Sequence, residues 1–250
     1  MEGTLPHLWI GTSGWTYPHW KEVFYPKGLA SKDYLRFYAG RFRTTEINHT
    51  FYHVPRLETF RNWSEQVPEG FQFAVKVHRS ITHVKRFQDV EKIWMDFVNS
   101  ALKLEEKLGP LLLQFPPSFR CNPGLIENFL AAHRCGQFAG LRLAFEFRHE
   151  SWFEEPVAEL LKDHGAALVI ADSSRYPQAP LEATARFVYL RFHGPGALFA
   201  SSYDEPELRA WSARIRQWQA EGLDVYAYFN NDVHGCAVRN GRRLHELVCE

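Results

Sequence analysis

Short stretches in which apolar and polar residues alternate recur along the chain, separated by longer stretches whose apolar residues return every three or four positions. The first pattern belongs to strands, whose side chains alternate faces, and the second to helices buried along one stripe. Strands are expected at 9–11, 44–48, 71–78, 111–115, in the segment opening at Leu143, and at 167–171, 187–192 and 225–229. The run Leu111-Leu112-Leu113-Gln114-Phe115 is apolar throughout, as a strand covered on both faces would be. Between them, Ser31 is expected to cap a helix carrying Tyr34, Leu35 and Tyr38. Asp89 would cap another, with Ile93, Trp94, Phe97, Val98, Ala101 and Leu108 on one stripe and Gly109-Pro110 as its stop. Asn122-Pro123 opens a third, 152–164 reads as a fourth ending at Gly165, and Leu208, Trp211, Ile215 and Trp218 mark a fifth ending at Gly222. A last helix runs through Leu244 and Leu247.

Strand and helix signals alternate with no linker composition or charge block between them, so one domain over residues 1–250 is expected. The architecture that fits is α/β, a single (β/α)8 barrel of TIM type with parallel strands. Its site would lie at the C-terminal strand ends. An open doubly wound sheet is the competing arrangement.

The 29 basic residues equal the 29 acidic ones among 250, which argues against a protein that holds nucleic acid mainly by charge. No basic segment followed by an apolar stretch opens the chain and no run has the length of a membrane span, so a soluble cytoplasmic protein without membrane association is expected. Cys121, Cys135, Cys236 and Cys249 lack the spacing of a disulfide framework or a cysteine metal motif and read as free thiols.

The strand opening at Leu143 runs Leu-Ala-Phe-Glu-Phe-Arg-His, greasy on the face of Leu143, Phe145 and Phe147 and charged on the face of Glu146 and Arg148. The other strands end alike. With the outward face taken by Ile47, Val75, Val77, Leu113, Phe145, Phe147, Leu190 and Phe229, the inward face carries Glu46 and Asn48, Lys76 and His78, Gln114, Glu146 and Arg148, Asp172, Arg191 and His193, Tyr228 and Asn230. Charges are rarely put inside a barrel without partners, because desolvating them is costly. Massed polar groups at one rim therefore suggest an active site.

Glu146 is the first candidate for a general acid or base, since an enclosed carboxyl can have its proton affinity raised; a structural ion pair with Arg148 or Lys76 is the other reading. Glu46 is its candidate partner across the mouth. Lys76 is expected to stay protonated beside these acids and to stabilise charge rather than act as a nucleophile. Arg148, Arg191, His193, His149 and His83 suit a phosphate or carboxylate, with neutralisation of the local acids as the alternative. Glu146, His149, Asp172 and His193 could together hold a divalent metal, although no cofactor is required. The aromatic loop with Trp15, Tyr17, Trp20 and Tyr25 stacks on a sugar or base, or simply roofs the barrel.

Several segments carry a resemblance: Gly11-Thr12-Ser13-Gly14-Trp15, Phe24-Tyr25-Pro26, Glu46-Ile47-Asn48 with Thr50-Phe51-Tyr52, Thr82-His83, and Gln114-Phe115-Pro116-Pro117-Ser118-Phe119. Glu146-Phe147-Arg148-His149 with Ser151-Trp152, Arg191-Phe192-His193-Gly194 and Tyr228-Phe229-Asn230-Asn231-Asp232 complete the set. In this order over nearly the whole chain they resemble the YecE-like family, also called domain of unknown function seventy-two. The resemblance implies a TIM-like barrel and no established activity. It departs at His49, usually a small residue, at Glu22, often glycine, and at Gly241, often alanine.

The expected function is acid/base catalysis on a small anionic substrate such as a sugar or sugar phosphate. Glu146, Lys76 and Glu46 would be catalytic. Asn48, Tyr52, His83, Gln114, Arg148, His149, Asp172, Arg191, His193, Tyr228, Asn230 and Asn231 would bind substrate. A metal-dependent phosphodiester or nucleic-acid protein and a non-catalytic ligand-binding barrel are the alternatives.

Overall fold

The structure, a computed structural model, describes residues 6–133, 138 and 140–250. Parallel strands β1 (Leu8–Ser13), β2 (Thr44–Ile47), β3 (Gln72–Lys76), β4 (Leu108–Gln114), β5 (Leu143–Glu146), β6 (Ala167–Leu168), β7 (Ile170–Asp172), β8 (Phe187–Phe192) and β9 (Asp224–Phe229) form one sheet. Its order is β6-β5-β4-β3-β2-β1-β9-β8-β7. The two ends of that order, β6 and β7, are one expected strand interrupted at Val169, so the ladder returns on itself as a nearly closed barrel. At the break, the Val169 amide donates to the Phe145 carbonyl at 2.9 Å.

Seven α-helices are described: α1 (Tyr34–Ala39), α2 (Leu57–Gln66), α3 (Glu91–Ala101), α4 (Pro123–His133), α5 (Glu155–Asp163), α6 (Glu205–Ala220) and α7 (Cys236–Cys249). The second was not expected, because Phe60 and Ser64 are its only buried residues and leave too thin a stripe to read. Asp89 does not cap the third: Val90 holds that position, and Asp89 adopts φ 49° ahead of it. Likewise Ser31 opens a 3-10 turn without a side-chain cap bond. Gly109 and Pro110 lie inside β4 instead of stopping a helix, where a Cβ on Gly109 would meet the Phe73 carbonyl oxygen at 3.2 Å. The helix α6 has the full capping box, Asp204 accepting from the Glu207 amide and Glu207 from the Asp204 amide.

Between β7 and β8 no helix forms among the described residues. The loop there is tied to the sixth strand by Thr184, whose hydroxyl accepts from the Leu168 amide and donates to the Ala166 carbonyl, each at 2.7 Å.

Two cores follow from the alternation. Ile10, Ile47, Val75, Val77, Leu113, Phe145, Phe147, Leu190 and Phe229 pack outward under the helices. Ala74, Leu112, Ala144, Ala167, Val169, Phe187, Tyr189, Tyr226 and Tyr228 fill the barrel, with Trp9 stacked on Tyr226 at 4.5 Å. The small residues of β3, β5 and β6 face the tyrosines of β8 and β9, so large and small side chains share the interior. Glu22, where the resembling family often has glycine, keeps a left-handed φ of 62°.

Gly11 lies where β1 meets β2, and a Cβ there would stand 2.2 Å from the Thr44 carbonyl oxygen. Gly11→Ala is expected to lower stability by about 3 kcal/mol, since neither backbone can retreat from a packed ladder. A urea midpoint within error of wild type would refute this.

Candidate functional site

Inside the barrel, above the tyrosine layer, Arg191 of β8 joins Glu46 of β2 and Glu146 of β5, residues 145 and 45 positions away in the chain. Its Nη2 and Nε donate to Glu46 Oε1 at 2.7 Å and Oε2 at 3.0 Å, a bidentate fork, and its Nη1 donates to Glu146 Oε2 at 2.5 Å. Ser13 Oγ and Tyr189 Oη complete the Glu46 carboxylate at 2.8 and 2.7 Å. Arg148 Nε donates to Glu146 Oε1 at 2.8 Å. Both carboxylates are thus fully occupied, and Glu46, Glu146 and Arg191 are all buried. This matches the ion-pair reading of Glu146 and not the acid: burial raises its proton affinity, but Arg191 and then Arg148 outweigh it and hold the carboxyl well below the usual range. Arg191 is held above its ordinary value despite its burial, through Glu46 and Glu146.

Lys76 departs from expectation in the opposite direction. It ends β3, half-buried, with Nζ 4.2 Å over the Phe51 ring, and the amine has no ion pair or hydrogen bond among the described residues, while its carbonyl accepts from Thr50 Oγ1 at 2.6 Å. Desolvation, then Arg191, push it down to about 7, against the smaller pull of Glu146 and Glu46. The acids expected to keep it protonated are already spent on the arginines. Beside it, Arg148 stacks its guanidinium 4.2 Å over Tyr176, which comes from the helix-free loop after β7. With Nε committed to Glu146, the two Nη atoms of Arg148 take no hydrogen bond among the described residues.

The imidazoles are held neutral. His193 is fully buried and goes down to about 3, through burial and then Arg191. Asn230 donates to its Nδ1 at 3.1 Å, which puts the ring proton on Nε2, an atom without a partner among the described residues. His83 sits on the one-turn π-helix Ser80–Val84, 3.5 Å from the Gln114 amide, and goes down to about 4 through burial and then Lys76.

Other expected site residues are elsewhere. Asp172 points outward, because strand six puts Val169 and Ala171 inward; it accepts from Trp211 Nε1 of α6 at 3.0 Å. Asn231 is buried outside the mouth, donating to the Ser201 carbonyl and to Asn240 of α7, both at 2.9 Å. Tyr228 lies in the barrel filling, its hydroxyl 2.7 Å from Thr44 Oγ1. His149 caps the turn before α5, its Nδ1 accepting from the Ser151 amide at 3.2 Å. Glu146, His149, Asp172 and His193 therefore do not converge as a metal ligand set, and no such cluster of three or more His, Cys, Asp or Glu exists among the described residues.

Asn48 and Tyr52 line a cavity of about 580 Å³ over the ends of β1 and β2, walled by Trp15, Tyr17, Trp63 and His49. Its floor reaches the buried cluster through Ser13, the donor to Glu46. The Asn48 Oδ1 is buried without a partner among the described residues. Sequence reasoning missed Ser13 and Tyr176 as members of the site, Tyr176 because it lies in a loop with no period to read; alternation puts Tyr189 on the face of Arg191 and His193 but does not show that it bonds Glu46. Cys121, Cys236 and Cys249 are free thiols, and Cys135 lies outside the described residues. No described helix is long and apolar enough to cross a membrane.

The profile of the family described as "Protein of unknown function DUF72" matches residues 9–250, and the chain belongs to that family. It is 28% identical over 272 residues to the UPF0759 protein YunF of Bacillus subtilis (strain 168), covering 96% of this chain and 94% of that one. The crystal structure of a DUF72 family protein from Thermotoga maritima superposes with a TM-score of 0.87 at 29% identity, over 98% of this chain and all of that one (100%). A xylose isomerase domain containing protein from Salmonella typhimurium shares the fold alone, with a TM-score of 0.59 at 12% identity over 100% of both chains.

Two predictions follow from the charges. Arg191→Met leaves the buried Glu46 without a cation and Glu146 with Arg148 alone, and is expected to cost about 3–5 kcal/mol in chemical denaturation; a loss under about 1 kcal/mol would mean that the cluster is hydrated or repaired. The neutral imidazoles set an acid limit. Below about 6.5 the unfolded chain binds protons that folded His193 and His83 refuse, so stability falls as pH drops from there toward about 3 and about 4 respectively. Glu146, ionised in the fold below the ordinary range, adds a further loss under about pH 4.3. Melting temperatures between pH 7 and 4 are expected to fall less steeply in His193→Gln than in wild type, and an equal slope would remove the histidine from this account.

Proposed function

We propose that this DUF72-family protein is an enzyme that moves a proton on a small anionic, oxygen-rich substrate held at the barrel mouth, with Lys76 as the base. The observation that supports this reading is Lys76 itself, an amine with no counterion among the described residues, in a site whose two carboxylates are occupied by arginines. An amine near pH 7 is half in its basic form at neutral pH, the condition under which general base catalysis is most effective. Glu46 and Glu146 act by orienting Arg191 and Arg148 and not by exchanging protons.

Arg148 is the anion receptor in this reading. Its free Nη pair is fixed by Glu146 behind and Tyr176 below, so little rotamer entropy remains to be lost when a carboxylate or phosphate docks. His193 presents Nε2–H, a donor matched to a carbonyl oxygen that gains negative charge as the adjacent proton leaves. A sugar phosphate or a small hydroxy or oxo acid has both features. The aromatic cavity over β1 and β2, with the acceptor Asn48 Oδ1, suits the remainder of a substrate larger than the mouth.

The test is exchange of carbon-bound hydrogen for deuterium in sugar phosphates and oxo acids, followed by proton NMR in heavy water. Lys76→Met is expected to lower the rate by about 10²- to 10⁴-fold, and the wild-type rate to fall on the acid side with a midpoint near the lysine's value of about 7. Exchange that is equal in wild type and variant would overturn the assignment.

A further inference from the structure

We infer that Lys76 is a covalent nucleophile, forming a Schiff base with the aldehyde or ketone carbon of a substrate whose carboxylate or phosphate is held by Arg148. The inference rests on the reading of Lys76 as the reactive amine of the mouth and names the chemistry that the amine performs.

The geometry carries it. The amine lies at the end of β3, over the face of Phe51 and unpaired, and the half-buried residue is neither sealed off nor free to sample solvent. An ordinary lysine answers two neighbouring acids with an ion pair; here every carboxylate oxygen of Glu46 and Glu146 already accepts from another group. The lone pair is consequently available at neutral pH, which is the requirement for attack on a carbonyl. The next strand in the ladder on one side supplies Gln114, opposite Glu146, and the rim around it supplies His83, His193 and the free Arg148 fork. These groups divide into what such a reaction needs: a cation for the substrate's anion, and a neutral N–H donor, His193 Nε2, for its oxygen.

The step balances without an oxidant or reductant. The Nζ lone pair forms the C–N bond as the carbonyl π pair moves onto oxygen, which takes up a proton while nitrogen releases one, giving a carbinolamine. The C–O bond then breaks, the oxygen leaves with a second proton as water, and the nitrogen lone pair closes the C=N bond of a protonated iminium. The sum is amine, carbonyl and one proton giving iminium and water. The nitrogen's proton passes to solvent at the half-buried amine, since His83 and His193 stay unprotonated down to about 4 and about 3, and His193 Nε2–H is the donor available to the oxygen. Glu146 takes no part in the proton exchange, since it stays ionised between its two arginines.

The experiment labels wild-type protein at pH 7 with glyoxylate and cyanoborohydride and maps the modified lysines by peptide mass spectrometry, with acetaldehyde as the uncharged comparison. A trapped adduct adds the mass of the probe less one oxygen atom. Lys76 is expected to react about 500-fold faster than the exposed Lys92, because about half of it is neutral at that pH against about 10⁻³ of an ordinary lysine. Arg148→Ala is expected to bring glyoxylate labelling of Lys76 down to the acetaldehyde rate. Labelling of Lys76 at the rate of Lys92 overturns the covalent step, and because it is read on the wild-type fold, misfolding of a variant cannot produce that result. The two readings separate cleanly: deuterium exchange lost in Lys76→Met with slow labelling leaves Lys76 a base only. Fast, Arg148-dependent labelling with exchange unchanged in Lys76→Met supports the covalent role and removes the proton-transfer one.

Discussion

Arg191 reaching both Glu46 and Glu146 inside the barrel is the interaction around which the upper half of the molecule is arranged. Three charged groups are withdrawn from water there, a cost repaid only by near-ideal geometry and full hydrogen bonding. The structure has both: a bidentate fork to Glu46, a third bond to Glu146, and Ser13, Tyr189 and Arg148 on the remaining oxygens. Strands β2, β5 and β8 are thereby held in one relation by charge as well as by their ladder bonds. Such a cluster is weak evidence for stability and better evidence for a demand on position.

That demand has an electrostatic consequence for Lys76. Two glutamates and two arginines sum to no net charge, so the lysine beside them receives little compensation for its desolvation. The balance falls to burial and the nearby Arg191, and the amine drops toward neutrality. Burial first, and then Lys76 for His83 and Arg191 for His193, keep these imidazoles uncharged. A rim that looks strongly ionic by residue type thus offers an amine about half neutral at pH 7, two neutral imidazoles and one guanidinium fork free among the described residues.

The loops decide what this rim can meet. The sixth strand breaks at Val169 so that its first half pairs with β5 and its second with β8, and the segment after it is a loop instead of a helix. That loop puts Tyr176 under Arg148. On the opposite side, the loops after β1 and β2 bring Trp15, Tyr17 and Tyr52 around a cavity whose floor touches the cluster at Ser13. Family membership agrees with this frame and leaves the chemistry to be argued from the site.

What could be read from the sequence is what depends on short-range alternation. Period-two patterning separated Ile47, Val75, Leu113, Phe145 and Leu190 from Glu46, Lys76, Gln114, Glu146 and Arg191, and the barrel follows from repeating it with helical stripes between. It failed at Asp172, where the strand is three residues beyond a break and parity alone decides the face, and at α2, whose apolar stripe is too thin. It was also silent on Tyr176, which no period governs. Pairing was beyond its reach for a different reason. Which of several acids and bases neutralise one another depends on distances across the barrel between residues as far apart as Glu46 and Arg191, and a proton affinity depends on the sum of those distances and on burial. The residue types at the rim were therefore determined locally, while the exchange of roles between Glu146, ionised and locked, and Lys76, free and near neutral, was decided only by the tertiary structure.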